Sequence, residues 1–143
     1  MEIRTATEKD ISALAGLMEH LGYPTTTEEM NLRFSNIESH PDYHTLIASY
    51  NDKTVGMVSL AKSFFYEADG IYVRIVAIVV DPDYQNLGIG KELIKAAENW
   101  ARMIGANVIA LNSGDRPERS NAHTFYKNMG FEDKNIGFTK SLL

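Results

Sequence analysis

Val79-Val80-Asp81-Pro82-Asp83-Tyr84-Gln85-Asn86-Leu87-Gly88-Ile89-Gly90-Lys91 is the stretch where the chain passes from an apolar run to an amphipathic one. An apolar strand ends at Val80-Asp81-Pro82, the glycine-bearing loop Gln85 to Lys91 follows, and a helix is expected from Glu92. A strand, a short glycine loop and a helix start place several unpaired backbone N–H groups beside the positive end of a helix dipole. Such a point suits a phosphate group. The plainer alternative is a glycine-relaxed turn that binds nothing.

Two phosphate loops can be tested on these residues. A P-loop requires G-x-x-x-x-G-K-[ST], but Glu92 follows Gly90-Lys91 and position 85 is Gln. A dinucleotide fold requires G-x-G-x-x-G, but Leu93 stands where the third glycine belongs. Both fail. The pattern that fits is Gln85-x-x-Gly88-x-Gly90 after Val80-Asp81-Pro82-x-Tyr84, and it resembles the acyl-CoA loop of the GNAT acetyltransferases.

Outward from this loop the chain reads as one domain, residues 1–143, of alternating helix and strand. Residues 2–6 form a short strand. Thr7 with Asp10 opens a helix whose Ile11, Leu14, Leu17, Met18 and Leu21 keep helical spacing until Gly22. Thr26 and Glu29 are a second capping-box pair, followed by Met30, Phe34 and Ile37. Thr45–Tyr50 and Val55–Phe64 are strands joined by the turn Asn51-Asp52-Lys53. Tyr72–Val80 is almost uninterrupted β-branched sequence, expected to be a central strand buried on both faces. Leu93, Ile94, Ala97, Ala101 and Ile104 line a helix that Gly105 ends, and Asn107–Leu111 is a further buried strand. Pro117 opens a last helix, with Ala122, Phe125 and Met129 facing inward and Gly130 at its end, and Phe138–Leu143 can close the sheet. The order βααβββαβαβ, with a hairpin in its first half, is an α/β mixed sheet rather than a doubly wound one.

The same order resembles the GNAT fold from end to end. The resemblance implies a mixed, mostly antiparallel sheet, splayed between two central strands and flanked by about four helices. It implies that a pantetheine arm lies in the splay and pairs with the backbone of Ile78, Val79 and Val80 as another strand would. Gln85, Asn86, Leu87, Gly88, Ile89, Gly90 and Lys91 would then hold the pyrophosphate of acetyl-CoA. A second match, Ala122-His123-Thr124-Phe125-Tyr126-Lys127-Asn128-Met129-Gly130-Phe131, is similar to a family segment whose tyrosine sits near the CoA sulfur. Tyr126 is therefore the candidate catalytic acid, since a phenol of pKa about 10 keeps its proton at neutral pH and can protonate a leaving thiolate. Its competing role is an amphipathic wall residue.

The chain departs from the family pattern in two places. Where many members carry an asparagine seven residues before the tyrosine, this chain has Arg119, and Asn121 lies only five before it. Two helical positions differ by about 200°, so the two are not interchangeable as cofactor contacts. Where several members carry a strand glutamate, this chain has Val76. The base is then water or a carboxylate from elsewhere: Glu67, Asp69, Glu28 or Glu29. Asn112 could orient an acceptor but not take its proton. Tyr23, Pro24, Phe64, Phe65 and Tyr66 fall where the resemblance puts the acceptor pocket. No metal is expected, because His40 and His44 straddle Pro41 and one helical face cannot present both.

Composition narrows the class further. The chain has no cysteine, which excludes disulfides, thiolate metal sites and a cysteine-bound acyl intermediate. A net charge of −5 without a basic cluster argues against nucleic acid. No apolar run spans a bilayer and no signal core opens the chain, so a cytoplasmic location is expected. The expected reading is direct transfer of acetyl from acetyl-CoA to a primary amine of a small-molecule or peptide acceptor. Its rivals are a non-catalytic acyl-CoA-binding module and a nucleotide-binding regulatory domain. Oligomeric state is not encoded, and a homodimer is compatible with the sequence.

Overall fold

A computed structural model describes residues 1–113, 120–135 and 137–143. The elements run β1 (Glu2–Thr5), α1 (Ile11–Leu21), α2 (Thr27–Glu38), β2 (Tyr43–Tyr50), β3 (Lys53–Phe64), β4 (Ile71–Val80), α3 (Ile89–Met103), β5 (Val108–Leu111) and α4 (Ser120–Asn128). The strands form one sheet in the order β1-β2-β3-β4-β5. The first three pairings are antiparallel and β4 with β5 is parallel. This is the mixed α/β sheet expected from the sequence.

Local chemistry sets the element ends. Thr26 caps α2 and Glu29 returns to the Thr26 backbone, the reciprocal pairing its spacing predicts. The same box at Thr7 and Asp10 opens a single 3₁₀ turn, Glu8–Asp10, which runs on into α1. α1, α3 and α4 each stop at a left-handed glycine, Gly22, Gly105 and Gly130, whose N–H and that of the next residue bond back to the last turn. The β2–β3 hairpin turns on Asn51 and Asp52 alone, with φ of 51° and 63°, so Lys53 belongs to the strand. Positive φ at both central residues matches the twist of the flanking strands.

Two cores flank the sheet. Leu46, Val58, Leu60, Val73 and Ile75 pack against Ile89, Leu93, Ile94 and Ala97 of α3. Ile47, Met57 and Val79 pack on the other face against Leu14 and Leu17 of α1 and Met30 and Phe34 of α2. β4 serves both because its register shifts: Leu60 faces Ile75 while Ser59 faces Ala77, and Val76 is the extra residue. A bulge of this kind exchanges the faces of everything beyond it. Val73 and Ile75 therefore face α3, whereas Ala77 and Val79 face α1 and α2.

Three expectations are corrected. β4 is not buried on both faces throughout, and Val76 is 40% exposed. The reason is β5, which pairs only with Tyr72–Ile75 and stops where the bulge begins. β5 itself starts at Val108, not Asn107, and is half-buried, with Val108 49% exposed. Residues 138–143 form no strand, and Phe138, Leu142 and Leu143 are exposed. Apolar residues only at the two ends of that segment bury too little to offset its ordering.

Candidate functional site

The loop after β4 begins with Asp81. Its backbone N–H donates to the Val55 carbonyl at 2.7 Å, fastening the loop to β3. Its carboxylate accepts from the Asp83 N–H at 2.9 Å and so caps the 3₁₀ turn Pro82–Tyr84. His20 and Lys53 approach the same carboxylate at 3.9 and 3.8 Å. In the sequence Asp81 is only part of a motif; in the fold it is 8% exposed and anchors the loop.

Beyond it Asn86 and Gly88 are both left-handed, with φ of 64° and 80°. Asparagine and glycine are the residues that adopt this conformation at least expense. α3 starts at Ile89, three residues earlier than the expected Glu92, so Ile89, Gly90 and Lys91 form its first turn. No side chain caps this helix start. Among the described residues, the backbone N–H groups of Asn86 to Lys91 have no hydrogen-bond partner. Gln85, Asn86, Leu87 and Gly88 are exposed, while Ile89 is buried in the α3 core. The arrangement is an open cluster of donors at the positive end of a 15-residue helix, which fits a diphosphate. Gly90 has no positive φ; a Cβ there would stand 3.3 Å from Phe125 Cζ and 3.9 Å from Val80 Cγ2.

That contact brings the two sequence motifs together. Phe125 lies edge-on to Tyr126 with centroids 5.5 Å apart, and Tyr126 in turn lies edge-on to Phe131 at 6.0 Å. Val80, Gly90 and Phe125 thus meet at the mouth of the gap beside β4. Among the described residues, β4 has no partner strand on its β5 side from Val76 to Val80. The backbone of Ile78, Val79 and Val80 consequently borders an open edge, as a splayed pair requires. Asn121 is exposed on the first turn of α4, and Arg119 lies outside the described residues, as does Pro117.

The candidate bases fare differently. Glu29 Oε1 accepts from the Thr26 backbone at 3.1 Å and from the Thr25 hydroxyl at 3.0 Å, which holds its carboxyl below the usual range. A carboxylate committed to a cap is a poor proton acceptor. Glu67 and Asp69 are exposed in the β3–β4 turn, and Glu28 lines a surface hollow of about 400 Å³ with Glu8 and Lys9. A second hollow, of about 160 Å³ beside Phe34 and Tyr43, is likewise away from the loop. Of the expected aromatic pocket, Tyr23, Phe64 and Tyr66 are 68%, 69% and 108% exposed. Phe65 packs against Tyr72 at 4.8 Å, and Lys62 Nζ lies 5.2 Å from the centre of the Phe64 ring. His40 accepts from the Asp42 N–H, while His44 stacks on Trp100 at 5.0 Å, where burial lowers its pKa. The two point to different partners.

The family model for the GNAT acetyltransferases matches residues 11–131. The chain belongs to the GNAT acetyltransferase family. It is 30% identical over 142 residues to the aminoalkylphosphonate N-acetyltransferase of Salmonella typhimurium, covering 99% of this chain and 91% of that protein. A GNAT family acetyltransferase of Staphylococcus aureus superposes with a TM-score of 0.85 at 30% identity, covering 99% and 98% of the two chains. An aminoglycoside N-acetyltransferase solved with CoA superposes at 0.84 with 19% identity, covering 99% and 95%, a likeness of fold. The protein is thus an acyltransferase of the N-acetyltransferase kind. Within this GNAT chain, sequence reasoning missed the Val76 bulge, the Asp81 anchor and Arg74, the only charged residue of β4. Only Arg74 left a signal, as a single cation interrupting an apolar run.

Proposed function

We propose that residues 1–143 are a single domain that transfers acetyl from acetyl-CoA directly to the primary amine of a small acceptor in the cytoplasm. One observation carries the reading: the open edge of β4 runs straight into the unpartnered N–H groups of Asn86–Lys91, with Tyr126 one residue from the Phe125–Gly90 contact. A diphosphate on the loop and an extended arm along Ile78–Val80 would bring a thioester to the bulge. Backbone N–H groups left unpaired there are the donors available to the carbonyl oxygen as it gains charge.

The bookkeeping of the reaction is simple. The amine lone pair forms a C–N bond to the carbonyl carbon, the C–S bond breaks, the nitrogen loses a proton to water, and the sulfur gains one. Tyr126 is the donor to the sulfur. With Val76 on β4 in place of a carboxylate, the amine arrives already neutral, so the rate follows the acceptor's own titration. The relative named for aminoalkylphosphonates supports a small amine as the acceptor.

Release of free CoA thiol, measured with acetyl-CoA and a panel of primary amines, tests the reading. At least one small amine is expected to give saturable release, and none doing so would overturn it. CoA at about 100 times its Kd should raise the melting temperature by several degrees, as about 2.7 kcal/mol of binding linkage implies, and ATP or NAD should not.

A further inference from the structure

β4 carries one charge, Arg74, and among the described residues it has no counter-ion. Among the described residues no carboxylate pairs with it and no hydrogen bond holds its guanidinium. It is nevertheless partly buried. An unpaired cation on a central strand is disfavoured relative to one at a solvated edge, and pairing with an oxyanion relieves that penalty. Arg4, the one cation of β1, by contrast has Asp10 as its partner.

Its position matters. Arg74 stands directly opposite Ala61 on β3 and Ala110 on β5, and the next row toward the bulge is Ser59 opposite Ala77. These side chains are small, so the guanidinium lies over a low floor. By strand alternation Arg74 shares the α1–α2 face, since Val73 and Ile75 face α3. The loop and α4, by contrast, belong to the α3 side, where Gly90 meets Phe125. A cofactor arm entering from the α3 side leaves the α1–α2 side of the bulge for the second substrate. Two residues of strand, about 7 Å, separate Arg74 from Val76.

We propose that Arg74 anchors an oxyanion of the acceptor, which makes the substrate a short amine carrying a phosphonate, phosphate or carboxylate a few bonds from its nitrogen. The inference deepens the acetyl-transfer reading and rests on it for the location of the reacting carbonyl. A guanidinium fits such groups through two parallel N–H donors.

The test compares 2-aminoethylphosphonate and β-alanine with ethanolamine, an amine of similar length that carries no anionic group, on the parent, Arg74→Gln and Arg74→Lys. The parent should favour the two anionic amines. In Arg74→Gln their kcat/KM should fall roughly 10- to 100-fold, the loss of a charge-assisted pair, and the fall should lie mainly in KM. Ethanolamine and the KM for acetyl-CoA should stay within about twofold, and Arg74→Lys should recover part of the loss. Equal losses for all three amines, or a parent preference for ethanolamine, would overturn the anchor while leaving acetyl transfer standing. Calorimetry of 2-aminoethylphosphonate with the CoA-loaded protein separates the two readings even without turnover. Saturable heat that Arg74→Gln abolishes supports the anchor; no heat, or equal heat in both proteins, overturns it.

Discussion

Gly88 and Gly90 sit two positions apart and are held to their identities by different forces. Gly88 needs its φ of 80° and has open space around it, so a side chain there meets strain rather than collision. Asparagine tolerates that conformation and valine does not. Gly88→Asn should therefore bind CoA within a few-fold of the parent, and Gly88→Val should lose binding; calorimetry reads both. Gly90 has helical φ, and its valine would displace the Phe125 ring, so that variant should weaken CoA binding and shift α4 together. Tyr126→Phe should keep acetyl-CoA affinity and lower kcat roughly 10- to 1,000-fold, because a proton given to the departing sulfur is felt in the transition state. Steady-state rates at saturating acetyl-CoA decide it, and activity within twofold of the parent would return Tyr126 to the role of a wall. The loop was legible in the sequence because glycine spacing is a direct record of backbone conformation. Arg74 was not, because a β-branched run is read for burial and one interruption is easily passed over.

At the scale of elements, the tie between β1 and α1 is a charge pair. Arg4 Nη1 and Nη2 each donate to Asp10 at 2.8 Å, and Asp10 also accepts from the Thr7 N–H at 2.8 Å. The hydrogen bonds from Arg4 hold the Asp10 carboxyl below its ordinary range against the opposing effect of burial. A carboxyl depressed in the folded state stabilises it above the unfolded value of about 4, and the contribution is lost as pH falls through the depressed folded value. Asp10→Asn should cost about 1–2 kcal/mol at neutral pH, Arg4 being 39% exposed and partly screened, and should flatten the acid limb of a urea-unfolding series below pH about 4. Helix stops at Gly22, Gly105 and Gly130 were legible for the reason the loop was. The Val76 bulge was not, since shifting an alternation leaves no mark where both faces are apolar. The six-residue end segment, 138–143, shows the reverse error: strand-like residues with no surface to bury.

The whole molecule is two cores sharing one sheet, and β3 belongs to both, through Val58 and Leu60 on one side and Met57 on the other. The order of elements was legible because helix and strand periods alternate cleanly along the chain. The opening between β4 and β5 entered only through the family resemblance, since it depends on where pairing stops. That stopping point also governs how the molecule moves. The amides of Val58–Ala61 should exchange with deuterium only when the entire fold opens, whereas those of Val108–Leu111, held by four residues of parallel pairing, should exchange far sooner. Exchange measured by mass spectrometry on peptides from the two strands would show equal protection if this picture were wrong. A wall that breathes while its opposite stays shut lets a long, flexible guest thread itself in without disturbing the surface against which it must finally be read.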